Sequence, residues 1–545
     1  MNPADEPLPP DSRESLVRHA AVMTAGTALS RITGYLRLVA LTATVGVTVS
    51  ALGSVYTIAN LTPNIIYELV LGGILTSVFV PVFVDRMTRQ GLEDAREVAD
   101  RLMTIVLVIL VAVAALGALF AEPIIRLYFV SSEARDREAQ IQLGVFFLRW
   151  FMPQIVFYGV GAVAIGLLQA NRRFAAPMFA PVLNNLVVIA TFIAYAIVRG
   201  SRAPSVEGIT NAEQTILAVG TTLGVVAMTA ALWPSLRSIG YRLHLRTDWN
   251  HEAVRTLLRL AAWVAVYVAA NQLAYIAIII INNRFHSGPQ IYTTAFTVFQ
   301  LPYAIFAVSI FTALLPGMAE RWSSGTPEGV RSLVSRGLRD MAVITLPATA
   351  GLLVLAEPIT RLLFQHGQAV PADTIAISRT LQGFAVGLVF FSSFQLLTRS
   401  FYATQNSRTP ALVNVGAAVV NVGAALLYVG LGLGLRGTAL AHATSYAVAA
   451  TILFWRLRRR LGPLDGRRIL RTSAKLALAS AASAWVAYVV AELWTLPADA
   501  SVLLEAAQVG SAILAGVLVF LVGALILRVG EVDDLRRALL GRFRR

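Results

Sequence analysis

The sequence predicts an all-α polytopic membrane protein of about fourteen transmembrane helices, built as two six-helix lobes related by a parallel repeat plus two C-terminal helices. Three observations predict it. The composition is too apolar for a soluble fold, long apolar segments alternate with short charged connections, and a nine-residue motif recurs once at long range.

Composition comes first. Of 545 residues, 57% are hydrophobic and 14% charged, with a mean hydropathy of +0.68. A soluble domain is roughly a quarter charged, so this chain lacks the polar surface to cover a water-exposed globule. The same balance excludes intrinsic disorder. With no cysteine in the chain, a disulfide framework and a thiolate metal site are excluded as well.

Residues 1–18 are polar and Pro-rich and read as a disordered cytoplasmic tail, not a signal peptide. Beyond them, apolar segments long enough to cross a bilayer fall at about 20–48, 52–84, 100–130, 139–170, 174–199, 213–235, 254–283, 291–320, 340–364, 376–403, 409–432, 437–457, 472–493 and 502–528. Alternation of period two is absent, which argues against an outer-membrane barrel.

The net charge is +15, and Lys475 is the only lysine. With the N-terminus in the cytoplasm, most arginines gather on the cytoplasmic side: Arg86, Arg89, Arg96 and Arg101; Arg172 and Arg173; Arg237, Arg242 and Arg246; Arg331, Arg336 and Arg339; the run from Arg456 to Lys475; and the tail from Arg536 to Arg545. This positive-inside bias predicts both termini in the cytoplasm and an even number of spans. Most of the charge is therefore a topological label that also attracts anionic lipid. Nucleic acid is not an expected partner, because no soluble basic face is present.

Ala121-Glu-Pro-Ile-Ile-Arg-Leu-Tyr-Phe129 matches Ala356-Glu-Pro-Ile-Thr-Arg-Leu-Leu-Phe364 at seven of nine positions, 235 residues apart. Weaker echoes end at Pro81 and Pro316 and at Pro177 and Pro410. Six spans fit within the offset, so both copies point the same way and the repeat is parallel. The expected organisation is an N-lobe at 19–235, a C-lobe at 236–460, two extra helices at 461–530 and a basic cytoplasmic tail at 531–545. Two similar bundles suit alternating access.

Topology leaves a few polar residues unexplained. Arg31 and Arg37 lie within the first span, where an arginine at the bilayer centre costs about 2.5–3.5 kcal/mol. They should face water, a partner or an anion. Six residues put them about 120° apart on a straight helix, and Gly34 between them is a candidate kink. Glu68 is the main intramembrane acid, suited to pairing with an arginine or to binding a coupling proton or cation. Asn60, Asn64, Asn184, Asn185, Asn271, Gln272, Asn282, Asn283, Gln300, Gln395, Asn414 and Asn421 punctuate the spans. Amides in membranes usually bond between helices, with a polar cavity as the other reading. No His-Glu-x-x-His and no phosphate-cradling Gly-x-x-x-x-Gly-Lys-Ser/Thr occurs. The expectation is a transporter without cofactor, metal or ATP motor, driven by the membrane potential, a monovalent cation gradient or consumption of product.

Six motifs carry a resemblance: Ser30-Arg-Ile-Thr-Gly-Tyr-Leu-Arg37, Gly73-Ile-Leu-Thr-Ser-Val-Phe-Val-Pro-Val-Phe83, Asn171-Arg-Arg-Phe-Ala-Ala-Pro-Met-Phe-Ala-Pro181, Leu314-Leu-Pro316, Leu363-Phe-Gln-His-Gly367 and Phe401-Tyr-Ala-Thr-Gln-Asn-Ser-Arg-Thr-Pro410. Over residues 20–460 the chain resembles the MurJ (MviN) family of lipid II flippases, in the multidrug/oligosaccharidyl-lipid/polysaccharide exporter superfamily. The resemblance implies a V-shaped, two-lobe fold with a cationic central cavity for the diphosphate and sugar head, and a groove beside the last two helices for the lipid tail. Arg31 and Arg37 match two cavity arginines of the family. Departures are Leu38 where the family has an acid, and Tyr67 and Thr297 near positions where it has arginines. They imply a divergent, actinobacterial-type paralogue.

The expected function is outward flipping of an anionic polyprenyl-diphosphate-linked peptidoglycan precursor in the bacterial plasma membrane. Arg31, Arg37, Asn60 and Asn64 are the expected binding residues, with Glu68 as charge pair or coupling group. Tyr67, Thr297, Gln300, Asn271 and Gln272 are weaker cavity candidates. Cell-wall synthesis proteins are candidate partners. Three other readings stay open: a MATE-like cation-coupled antiporter, a flippase for another polyprenyl-linked glycan, and a non-transporting cell-wall scaffold.

Overall fold

The computed structural model describes residues 10–71, 92–171, 173–241, 244, 252–497 and 500–532. Gly72, most of the 73–83 motif's neighbours, Arg86, Arg89, Arg172, Arg242, Arg246 and the tail from Arg536 to Arg545 lie outside them, as does the 73–83 motif itself. All regular structure among the described residues is helical. The chain divides into two compact units, residues 1–130 with 134–272 and residues 131–133 with 273–545.

The first unit contains α1 (Pro10–Val45), α2 (Leu52–Leu71), α3 (Leu92–Leu119), the short α4 (Ala121–Tyr128), α5 (Arg137–Phe151), α6 (Gln154–Ala170), α7 (Ala175–Arg199), α8 (Asn211–Ala230), the short α9 (Trp233–Ser238) and the start of α10 (Glu252–Asn282). Local chemistry sets the boundaries. Thr210 caps α8 in a reciprocal box with Glu213, satisfying two backbone N–H groups at once. Gly200 ends α7 at φ 65°, a backbone conformation open to glycine. Tyr56 anchors the interior of this unit. Its ring meets Phe147, Phe151 and Phe192 edge-on, with centroids 5.5–6.0 Å away, and its hydroxyl is 2.8 Å from that of Thr221. Helices α7 and α8 approach closely because Gly220 and Gly224 face Thr191 and Asn184, where a Cβ would come within 2.3 and 2.6 Å of side-chain oxygens.

The second unit holds the end of α10, α11 (Gly288–Pro302), a π-helical turn (Tyr303–Ala307), α12 (Val308–Ser323), α13 (Pro327–Val354), the short α14 (Ala356–Phe364), α15 (Pro371–Ala385), α16 (Leu388–Ala403), α17 (Arg408–Gly430), α18 (Gly434–Leu461), α19 (Gly466–Glu492) and α20 (Val502–Ile526). Its interior is apolar, with Val330, Val334, Phe394, Leu396, Leu453 and Leu457 among the fully buried residues. The π-turn follows Pro302, whose missing N–H removes one rung of the α-helical ladder.

The two copies of the repeated motif fold alike. Each forms a short helix, α4 or α14, directly after a long span, α3 or α13. The span that follows is interrupted in both units, between α5 and α6 at Met152–Pro153 and between α15 and α16 at Val386–Gly387. The second break bends the helix pair by 47°.

Ten described helices are long and apolar enough to cross a membrane, or eleven with the bent pair counted as one span. The count of fourteen expected from sequence is therefore not reached among the described residues. Helix α1 has the length, but Arg31 and Arg37 lower its hydropathy. Much of the segment expected at 52–84 is outside the described residues, and the side chains of α10 are described only from Val266, which leaves the apolar stretch Val266–Asn282.

The two C-terminal helices attach to the second unit by charge near both of their ends. Arg361 on α14 reaches Glu505 and Gln508 on α20. Arg339 on α13 pairs with Glu531, just beyond α20, and both side chains are buried. Lys475 donates to the carbonyls of Leu527 and Arg528 at the C-terminal end of α20, where a cation complements the helix dipole. Between these points α19 and α20 touch through small residues, with Gly516 against Ala487 and Ser483.

Candidate functional site

In the first unit the expected binding residues lie on α1 and α2. Helix α1 is fixed against α7 along one face. The Asn185 side-chain amide donates to the Ser30 carbonyl at 3.2 Å and to Thr33 Oγ1 at 3.1 Å. Farther along, the Arg199 guanidinium donates to the Thr44 carbonyl. Asn185 is thus the interhelical glue expected of a membrane amide. Gly34 serves this contact, since a Cβ there would lie 3.4 Å from the Asn185 amide nitrogen. The helix runs unbroken through Gly34, so the glycine acts as a point of close approach.

Arg31 is exposed and Arg37 half-buried. Arg37 lies near enough to the phenols of Tyr56 on α2 and Tyr158 on α6 to interact with both electrostatically. Among the described residues no ion pair joins either arginine to Glu68, and the pairing considered from sequence is not formed. Among the described residues no carboxylate engages either guanidinium, and each presents a planar fork that matches phosphate oxygens.

On α2, Asn60, Asn64 and Glu68 follow one another at four-residue spacing and share one face, with Tyr67 beside them. Asn64 is exposed; Asn60, Tyr67 and Glu68 are half-buried. The ring of Tyr67 meets that of Tyr158 at 5.6 Å between centroids, tilted by 41°. Tyr67 in turn interacts electrostatically with Glu68. Glu68, Tyr67, Tyr158 and Arg37 are thus linked by one ring contact and by electrostatic interaction at either end. Tyr56 and Tyr158 were not singled out by sequence reasoning. The available signal was tyrosine, a residue with a polar tip, inside otherwise apolar segments.

The weaker candidates are placed elsewhere. Asn271 and Gln272 are half-buried on α10, and the Asn271 amide donates to the Tyr267 carbonyl one turn back in the same helix. Thr297 and Gln300 lie on α11 in the second unit, just before the π-turn, and the Thr297 hydroxyl donates to the Thr293 carbonyl. Arg399 on α16 is half-buried with its guanidinium 3.6 Å from the centre of the Phe311 ring. Asn184 Oδ1, both side-chain polar atoms of Asn282 and Asn414 Nδ2 are buried without a hydrogen-bond partner. No group of histidines and acids suited to a metal ion occurs among the described residues.

Comparison with known proteins gives these features a context. A family profile for the lipid II flippase MurJ matches residues 43–504; Arg31 and Arg37 precede that stretch. A probable lipid II flippase MurJ of Rhizobium meliloti is 27% identical over 491 residues, covering 89% of this chain and 88% of the relative. The lipid II flippase MurJ of Burkholderia cenocepacia is 25% identical over 451 residues, covering 82% and 84%. Among solved structures, a lipid II flippase MurJ in an inward closed conformation aligns with a TM-score of 0.75 at 21% identity, over 93% of this chain and 99% of that one. A multidrug resistance MATE family transporter in an inward-facing conformation aligns with a TM-score of 0.65 at 15% identity, over 80% and 95%.

Proposed function

The chain belongs to the lipid II flippase MurJ family, and from that premise we propose that it carries lipid II from the cytoplasmic to the outer leaflet of the bacterial plasma membrane by alternating access. The observation that carries this reading is the pair Arg31 and Arg37, neither held by a carboxylate among the described residues. Two cations on a helix with apolar surroundings are expensive, and a diphosphate compensates them. Arginine binds phosphate bidentately and stays charged when buried.

With both termini in the cytoplasm, an inside-negative potential favours outward movement of an anion by about 2.3 kcal/mol per charge per 100 mV. A diphosphate of about two charges gains roughly twice that, provided the charges of the protein do not move. Cell-wall synthesis enzymes that use the precursor on the outer side are the natural partners.

Depletion–rescue tests the assignment. This chain, expressed in a bacterium depleted of its own lipid II flippase, should restore growth and lipid II on the outer leaflet. Normal expression without surface lipid II would move the assignment to another polyprenyl-linked glycan. The second reading is a MATE-like antiporter, favoured by Glu68, an intramembrane carboxylate without an ion pair among the described residues. It requires proton- or sodium-dependent efflux that Glu68→Gln abolishes.

A further inference from the structure

The array on α1, α2 and α6 has a negative as well as a positive end. Tyr158 meets Tyr67 at 5.6 Å between ring centroids, Glu68 follows Tyr67 directly on α2, and Arg37 interacts with Tyr158 electrostatically. A diphosphate accounts for the arginine and leaves the carboxylate and the two rings without a role. We propose that Glu68, Tyr67 and Tyr158 form a subsite for an ammonium group on the head of the cargo, next to the arginines that take its diphosphate. This inference rests on the flippase reading.

The chemistry selects the ligand. A half-buried carboxylate in a membrane segment is costly unless a cation meets it. A hard metal ion needs about six oxygen ligands, and no cluster of acids and histidines is present among the described residues. An organic ammonium needs fewer. It takes one carboxylate for its N–H donors and aromatic faces within about 6 Å for its charge. Glu68 supplies the acid, and Tyr67 beside it in sequence, with Tyr158 tilted against Tyr67 at 5.6 Å, supplies the aromatic faces. Among the described residues no ion pair joins Glu68 to Arg37, so each can meet its own part of a zwitterionic head.

The test uses the purified full chain in nanodiscs and compares equilibrium binding of two polyprenyl-diphosphate glycolipids that differ only in a free or an N-acetylated amine. The wild type should bind the free amine about tenfold more tightly, the size expected of one ion pair with aromatic support. Glu68→Gln and, independently, Tyr158→Leu should bring that ratio close to one. Arg37→Ala should weaken both lipids and preserve the ratio. A wild-type ratio of one, or an unchanged ratio in Glu68→Gln, overturns the subsite. If neither lipid binds the wild type, the flippase reading fails instead. Methylammonium binding then decides the subsite separately: loss of that binding in Glu68→Gln upholds it, and no binding to the wild type overturns it.

Discussion

Arg126 and Arg361 occupy the same place in two copies of one motif, yet they do different work. In the first unit Arg126 on α4 bonds Glu122 and Glu138, at 2.9 Å and 2.7 Å, and all three side chains are well exposed. In the second unit Arg361 on α14 turns to α20, donating to Gln508 at 2.6 Å beside a buried Glu505. The local sequence makes the same short helix twice. What the arginine holds depends on whether another helix is there to receive it. The repeat therefore encodes a lobe, and the addition of α19 and α20 converts a surface ion cluster in one lobe into an attachment point.

Breaking the attachments should expose this difference, beginning with the largest effect. Arg339→Ala leaves Glu531 buried without its cation and should cost about 3–5 kcal/mol, read as a lower unfolding temperature of the purified protein. Next is the close contact of α7 with α8. Gly220→Val pushes a branched side chain into Thr191 and should cost about 3 kcal/mol by the same measurement. In the corresponding pair of the second unit Gly416 and Gly423 on α17 have open space around their Cβ positions, and the close approach of Gly437 on α18 to Tyr428, at 3.0 Å, is looser than that of Gly220. Arg361→Ala should cost about 2 kcal/mol, less than a fully buried pair because the guanidinium is partly exposed. Arg126→Ala should leave the unfolding temperature unchanged, because its partners stay solvated. Equal effects at Arg126 and Arg361 would remove the contrast.

Much of this fold was legible in the sequence because a bilayer admits few solutions. Long apolar segments had to be helices, and the recurrence of Ala-Glu-Pro-Ile with its arginine pointed to two related lobes. The matching breaks near Met152 and Val386 were not read, because Pro153 and Gly387 interrupt helices without interrupting the apolar pattern. The count of spans was harder for a related reason. Arg31 and Arg37 make α1 look less like a membrane helix, and the same two residues make it a candidate for the binding site. At the candidate site, sequence reasoning singled out Arg31, Arg37, Tyr67 and Glu68 because charge and departure from the family pattern stand out. It did not find Tyr158, which is 91 positions beyond Tyr67 and reaches it only through the packing of α6 against α2.

The central claim is that Arg31 and Arg37 hold the diphosphate of a lipid during its passage across the membrane. The most direct measurement is lipid II flipping by the purified chain in liposomes, comparing the wild type with Arg31→Ala/Arg37→Ala at equal reconstitution. Flipping by the wild type and its loss in the double variant, with unfolding temperature retained, is the predicted result. Equal flipping by both would contradict the account.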